Sequence, residues 1–353
     1  MRLALELAAK GGGKTRPNPM VGAVVVANGR VVGSGYHRRA GGPHAEVVAL
    51  RQAGARARGA TLYVSLEPCA HTGRTPPCVE AVLRSGVRRV VAAMVDPNPL
   101  NRGRGIRRLK SRGLQVKAGV LEGAARRLNE LFVNRMEKGR PFVTVKMAQS
   151  LDGKIATRAG QSRWITGPKA RRWVHRLRSE VDAILVGIRT VLKDDPRLTV
   201  RSGGVKGAAP LKVILDSKLR TPPKARIFSS CGPVLIAATA AAPRAREKRL
   251  VRAGAEVVRL PSRGGRVDLK ALLKELAQRE ISHLLIEGGG ETIASAFQAR
   301  AVDRVAWFIS PRIIGGRGAA APFSNAAPLS NVEVEPIGPD WLVKADVADS
   351  RGN

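Results

Sequence analysis

His44, Glu46, Cys69 and Cys78 are the residues whose types and order most directly specify chemistry. Glu46 stands two residues after His44; Pro68-Cys69 and a second cysteine, Cys78, follow downstream. One imidazole and two thiolates give a metal three protein ligands and leave the fourth tetrahedral position for water. Zinc in such a site acidifies that water into a nucleophile near neutral pH. Glu46 is placed to face the water without binding the metal, and a carboxyl there can carry a proton from water to a departing amine.

His-x-Glu followed by Pro-Cys and a second cysteine is the order found in zinc deaminases. That motif has two residues between its cysteines; here there are eight, Ala70 to Pro77, including His71, Arg74 and Pro76-Pro77. A lone cysteine or histidine is more often a core residue than a ligand. Three ligands and a glutamate in this order are much harder to produce by chance. His71 is an alternative ligand, although a fourth protein ligand would close the site to water. Asn18, His37, Arg74 and Asn98 fall in loops at strand or helix ends, where binding residues gather.

The second half offers a different feature, the turn Ile286-Glu287-Gly288-Gly289-Gly290-Glu291-Thr292 between a strand and a helix. Glycines in such a turn let backbone N–H groups approach a phosphate at the helix N-terminus. The same composition also serves close packing. No G-x-G-x-x-G follows a strand, so an ordinary Rossmann fingerprint is not supported. These residues alone give an α/β domain with a candidate phosphate or dinucleotide site.

The elements that must position these groups follow from periodicity and turn signals. Leu3 to Ala9 reads as a helix ended by Gly11-Gly12-Gly13. The sequence begins inside that helix, so a few preceding residues are expected. A hairpin is expected around Asn28-Gly29, from Val21–Val26 and the run after Val31. Helix is expected from His44 to Ala57, from Pro76 through Leu83, from Gly103 to Arg112 and from Glu122 to Glu137, with strands at 61–66, 87–95 and 114–118. Each metal ligand is then expected at or near a helix start, where the positive helix end favours thiolate. Gly139-Arg140-Pro141 marks a boundary between domains 1–140 and 141–353. Beyond it, strands are expected at 142–147, 183–186, 212–215, 234–237, 257–260, 284–286 and 304–309. Helices are expected at 168–179, 243–253, 268–279 and 291–299. This alternation predicts α/β architecture throughout.

Composition narrows the function classes. A chain of 353 residues with 44% hydrophobic content can bury two cores. No run approaches the length of a membrane span, and the first residues do not form a secretory signal. Three cysteines, two of them proposed ligands, suit a reducing compartment, so the cytoplasm is expected. The formal charge of +35 suggests a rival, a deaminase acting on tRNA or single strands. The charge is dispersed and aromatics are 3%, so stacking platforms for bases are poorly supplied. No dedicated nucleic-acid or membrane partner is expected.

With both halves read, the chain resembles the RibD family, the bifunctional deaminase-reductases of riboflavin biosynthesis. In the first half the resemblance rests on 17–22 (Pro-Asn-Pro-Met-Val-Gly), His44-Ala45-Glu46, Pro68 to Cys78 and Asp96-Pro97-Asn98-Pro99. In the second half it rests on 150–154 (Ser-Leu-Asp-Gly-Lys), Trp164-Ile165-Thr166, Asp194-Asp195-Pro196 and Ile286-Glu287-Gly288-Gly289. Both sets occur in family order and span nearly the whole chain. The resemblance implies a cytidine-deaminase-like α/β/α domain followed by a dihydrofolate-reductase-like α/β domain. It implies zinc on His44, Cys69 and Cys78, Glu46 as proton shuttle, and a phosphorylated pyrimidine ribotide held by Asn18, His37, Arg74 and Asn98. In the reductase it implies NADPH at Ala148, Trp164, Thr190, Asp194, Gly289, Gly290, Glu291, Thr292, Ile293, Ala294 and Ser295. The ribotide is then expected at Lys154, Ser162, Arg178, Leu198, Arg201 and Glu287, with Arg178 and Arg201 on its phosphate. Deamination followed by reduction of the ribosyl to a ribityl chain is the implied sequence of reactions. A homo-oligomer is expected. A homologue with one degenerate half is disfavoured because both motif sets are intact.

Overall fold

Asn28 and Gly29 close the first hairpin at φ 48° and 73°, the left-handed pair that a two-residue hairpin turn requires. The computed structural model describes residues 1–73, 75–158, 165–200, 209–316, 319–320 and 327–348. Met1–Arg140 forms one unit and Pro141–Asn353 another.

The first unit runs α1 (Arg2–Ala9), β1 (Gly22–Ala27), β2 (Arg30–Tyr36), α2 (Ala45–Ala53), β3 (Thr61–Val64), α3 (Cys78–Arg84), β4 (Arg89–Ala92), α4 (Arg104–Ser111), β5 (Gln115–Lys117), α5 (Glu122–Leu128) and α6 (Glu130–Lys138). The sheet order is β2-β1-β3-β4-β5. β1 is antiparallel to both β2 and β3, and β3, β4 and β5 are mutually parallel. Val25, Ala49, Leu62, Val64, Val90 and Leu109 share the core. Gly33 lets α2 lie directly on the hairpin: a Cβ there would stand 2.2 Å from the Ala49 carbonyl oxygen.

Two expected helices differ. The one begun at His44 ends at Ala53, where Gly54 takes φ 56° and closes it; a short 3₁₀ turn continues to Ala57. The one expected over 122–137 is two helices, broken at Asn129. Its amide is committed to Met20, accepting from Met20 N–H at 2.8 Å and donating to Met20 O at 2.9 Å. That tertiary pairing fixes Asn129 outside helical geometry.

The second unit runs β6 (Phe142–Ser150), β7 (Lys154–Ala156), α7 (Pro168–Ser179), β8 (Ala183–Gly187), α8 (Ile188–Asp194), β9 (Leu211–Leu215), β10 (Val234–Thr239), α9 (Arg244–Arg252), β11 (Ala255–Leu260), β12 (Ser262–Arg263), β13 (Arg266–Val267), α10 (Leu269–Gln278), β14 (His283–Glu287), α11 (Gly290–Gln298), β15 (Arg304–Ser310), β16 (Ala319–Ala320), β17 (Leu329–Ile337) and β18 (Asp340–Val347). Its main sheet has the order β11-β10-β9-β8-β14-β6-β15-β18-β17. Successive residues of the central strands enter opposite cores: Ala183, Leu185, Leu284 and Ile286 pack with α10 and α11, while Ile184, Val186 and Leu285 pack with α7 and α9. Burial on both faces is what a parallel strand covered by crossover helices requires. The terminal β17–β18 hairpin has no counterpart among the expected strands. Val332 and Val334 alternate with Glu333 and Glu335 on an exposed edge strand that also holds Pro336, so a buried-strand pattern is absent there. Among the described residues, no helix is long and apolar enough to cross a membrane.

Candidate active sites

The N-terminus of α2 supplies His44 and Glu46, the start of α3 supplies Cys78, and the loop after β3 supplies Cys69. His44 Nδ1 lies 2.9 Å from Cys78 Sγ and 3.6 Å from Cys69 Sγ. The three ligand atoms fall within 4.8 Å of one another, so a single tetrahedral ion can join them. Cys69 is not at a helix start, contrary to expectation. The Cys78 N–H at the head of α3 donates to its sulfur at 3.2 Å and brings it the helix end. The Cys69 thiol is held well below the usual range by hydrogen bonds from Cys78, then from His44, and the Cys78 thiol is pushed up by that same contact. One negative charge is thus shared between two sulfurs, and a divalent cation would stabilise both as thiolates. The donor set fits zinc.

Glu46 is buried, and desolvation pushes its carboxyl up to about 7 against the pull of His44. A group that gains and loses a proton near neutrality is matched to general acid-base work. His37 packs edge-on against His44, ring centroids 5.3 Å apart. Its Nδ1 donates to Pro43 O at 3.1 Å, which leaves Nε2 to accept from Asn18 Nδ2 at 3.2 Å. Burial lowers the His37 pKa, in keeping with this neutral tautomer. Asn18 and His37 are therefore gathered beside the metal ligands.

A buried acidic network holds the Cys69 loop from beneath. Glu67 accepts from Asp96 N–H at 3.0 Å, Gly103 N–H at 2.9 Å and Ile106 N–H at 3.0 Å, placing its charge at the start of α4. Asn101 accepts from Ala70 N–H at 2.8 Å and donates to Asp96 Oδ2 at 3.1 Å. Burial pushes Asp96 up to about 6, opposed by donors from Asn98 and Asn101. Asn98 joins this network through its backbone; its side chain accepts from Leu100 N–H at 3.0 Å and shapes the loop.

In the second unit, Glu287 ends β14 directly opposite Lys146 of β6. Arg178 of α7 donates Nε to Oε1 at 2.7 Å and Nη2 to Oε2 at 2.6 Å. This two-pronged pair is 16% and 9% exposed. Burial would raise the Glu287 pKa, but Arg178 and then Lys146 outweigh it and hold the carboxyl below its usual value. Burial lowers Lys146 despite Glu287. Beyond Glu287 the chain turns through Gly288 and Gly289 at φ 81° and 76°. A Cβ on Gly289 would meet Thr190 Oγ1 at 3.1 Å and Thr292 Oγ1 at 3.3 Å, so two hydroxyls border the turn at the head of α11. The turn and Glu287 lie where β14 inserts between β8 and β6, the switch point at which open α/β sheets form ligand crevices.

Residues 141–343 match the family described as the RibD C-terminal domain. Residues 1–94 match the cytidine and deoxycytidylate deaminase zinc-binding region. The riboflavin biosynthesis protein RibD of Aquifex aeolicus is 45% identical over 348 residues, covering 97% of this chain and 96% of the relative. The chain belongs to the RibD family. The RibD structure from Acinetobacter baumannii (form 1) aligns with a TM-score of 0.86 at 37% identity, covering 99% of this chain and 98% of that one. The Thermotoga maritima structure, a diaminohydroxyphosphoribosylaminopyrimidine deaminase/5-amino-6-(5-phosphoribosylamino)uracil reductase, aligns at 0.80 and 37% identity, covering 99% and 97%. As a RibD protein the chain is a two-activity enzyme of riboflavin biosynthesis, with a zinc-binding deaminase half and a reductase half.

Within this RibD chain the sequence-predicted residues are not all brought together. His44, Glu46, Cys69, Cys78, Asn18 and His37 converge, whereas His71 is no part of the ligand cluster. Arg74, Ser162, Trp164 and Arg201 lie outside the described residues. The guanidinium of Arg178, expected on a phosphate, has two of its donors on Glu287 and Nη1 on Thr199 O at 3.2 Å. Leu198 spends its side chain on the apolar core beside Leu177. Ile293 is likewise buried, and Glu291 is paired with Arg189 and Arg266. Ala148 lies on β6, Lys154 opens β7, Asp194 ends α8, and Gly290, Ala294 and Ser295 belong to α11. Lys146 was not anticipated. Its signal was a charged residue inside a strand of otherwise uncharged, mostly apolar residues, Phe142 to Met147.

Proposed function

We propose that the first unit hydrolytically deaminates a diaminopyrimidine ribotide and that the second, with NADPH, reduces the ribosyl of the product to a ribityl chain. The observation that carries this reading is the presence of two separate polar clusters in one chain, the His44/Cys69/Cys78 cluster around Glu46 and the buried Glu287–Arg178 pair beside the glycine turn. When bound, zinc supplies a Lewis-acidic position for water. Glu46 moves the proton between water and the leaving amine. His37, fixed neutral by Pro43, and Asn18 offer polar atoms to the pyrimidine edge, and Arg74 and Asn98 complete that subsite.

When bound, NADPH would supply the hydride for the ribose C1′ carbon. Backbone N–H groups at the head of α11, with Thr190 and Thr292, suit its phosphates. Ala148, Trp164, Asp194 and Gly289 to Ser295 make up the remaining cofactor surface. Glu287 is held charged and immobile by Arg178, so it can orient sugar hydroxyls without losing its place. Lys154, Ser162, Leu198 and Arg201 complete the ribotide subsite, with Arg201 on the phosphate. Purified protein given the diaminopyrimidine ribotide should convert it by the mass change of deamination alone, and add two hydrogens only when NADPH is present. Reduction with no deaminated intermediate, or no mass change at all, would overturn the reading.

The same reading makes the enzyme a cytoplasmic homo-oligomer with no dedicated nucleic-acid site. Edge strand β17 exposes Leu329, Val332 and Val334 at 44%, 56% and 59%, an open template for a second copy. Dispersed arginines give only weak binding of any polyanion, which salt erases. Light scattering should therefore return a multiple of 37.6 kDa, unchanged when RNA is added at about 0.15 M salt, where bare charge attraction is largely screened. A monomer mass, or a stable RNA complex of one sequence, would count against it.

A further inference from the structure

The eight residues between Cys69 and Cys78 are far more than a zinc-binding turn needs. The last part of that segment folds back over the site: Gly73 N–H donates to Thr75 O at 3.2 Å, and Thr75 Oγ1 lies 3.0 Å from His44 Nε2. The opposite ring nitrogen, Nδ1, is the one that faces both sulfurs. We propose that Thr75 is a positioning residue for the metal: its hydroxyl accepts the His44 Nε2–H and thereby fixes the tautomer whose Nδ1 lone pair is presented to zinc. The inference rests on the zinc reading of this cluster and extends it to a role for the inserted segment.

The chemistry follows from the donor inventory. A neutral imidazole has one N–H and one lone pair, and a metal takes the lone pair. With Nδ1 on the metal, the proton must sit on Nε2, where it needs an acceptor. Glu46 could have been that acceptor, but its hydrogen-bonding contact is with Cys78. His37 meets His44 edge-on through its ring, while its own nitrogens are committed to Pro43 and Asn18. Thr75 is the oxygen within hydrogen-bond distance of Nε2 among the described residues. A partner on the second nitrogen orients the ring and raises its basicity, and its loss typically costs about 10- to 100-fold in metal affinity. The segment between the cysteines thus carries a support for a ligand lying more than thirty positions earlier in the sequence.

Hydrogen bonding and packing by Thr75 are separated by two substitutions. Thr75→Ser keeps the hydroxyl and loses the methyl; Thr75→Val keeps the shape and loses the hydroxyl. Zinc release to a chromogenic chelator is measured for wild type, both variants and Cys78→Ser, with the NADPH-dependent reductase activity as a check that the rest of the chain is intact. The expected result is that Thr75→Val gives up zinc at about 10- to 100-fold lower chelator excess, that Thr75→Ser stays close to wild type, and that Cys78→Ser retains little zinc. Zinc held equally by wild type and Thr75→Val overturns the proposal alone, as does a Thr75→Ser variant that releases zinc as readily as Thr75→Val. Absence of zinc from wild type, or zinc unchanged in Cys78→Ser, overturns the metal reading with it.

Discussion

Glu46→Gln is expected to keep zinc and fold while deamination falls by about 10²- to 10⁴-fold, the usual contribution of a general acid-base group. The substitution is nearly isosteric at a site buried at the head of α2, so packing around Ala45 and Ala49 is preserved. What changes is the ability to carry a proton. The wild-type carboxyl is pushed up to about 7 by burial, so it exchanges protons near neutral pH; an amide does not. The measurement has two arms. With the diaminopyrimidine ribotide the variant should release almost no ammonia. With the deaminated ribotide and NADPH it should oxidise the cofactor at the wild-type rate, because no residue assigned to reduction lies within Met1–Arg140. A zinc-loaded variant that deaminates normally would remove Glu46 from the mechanism, and loss of NADPH oxidation would end the independence of the two sites.

The parts of this molecule that sequence made legible are those encoded by residue type at short spacing. His44 and Glu46 lie two apart, Asn28-Gly29 is a turn by local sterics, and Gly288 and Gly289 separate a strand from a helix. Each could be read because its local requirement is itself the signal. Residues whose roles come from tertiary contact were not readable in the same way. Asn129 breaks a helix because Met20, over a hundred positions away, engages its amide. Thr75 stands in a motif as one polar residue among several until the fold sets it on His44 Nε2. Arg178 is expected on a phosphate only through the family resemblance; the fold shows its guanidinium engaged by Glu287. Glu67 carried no signal at all beyond preceding Pro68-Cys69, yet its carboxylate collects three backbone N–H groups and ties the ligand loop to α4.

Glu287→Ala is the second change with a large expected effect, because it strips a carboxylate from between two cations. Arg178 is 16% exposed and Lys146 lies half-buried against Phe308, its Nζ 5.7 Å from the ring centroid. Removing one member of a buried ion pair costs about 3–5 kcal/mol, and at about 2–4 °C per kcal/mol for a unit of this size the melting temperature of the reductase half should fall by roughly 6–20 °C. Reduction should be lost, and deamination should persist below that transition. Glu287→Gln separates charge from shape and adds a pH signature. Arg178 cannot shed its proton, but Lys146 can, and its pKa is already lowered by burial with Glu287 opposing. Without Glu287 that opposition disappears and the folded-state pKa of Lys146 falls further below its unfolded value. The unfolded chain then binds more protons than the folded one above that pKa, so stability rises with pH. The deficit of Glu287→Gln relative to wild type should therefore shrink as pH climbs from neutrality toward the ordinary lysine value of about 10.4. Scanning calorimetry of both proteins across that pH range reads this directly. A deficit that stays constant would mean that Lys146 does not feel Glu287 as a charge, and the pair would then be no more than a bond between Arg178 and a carboxylate.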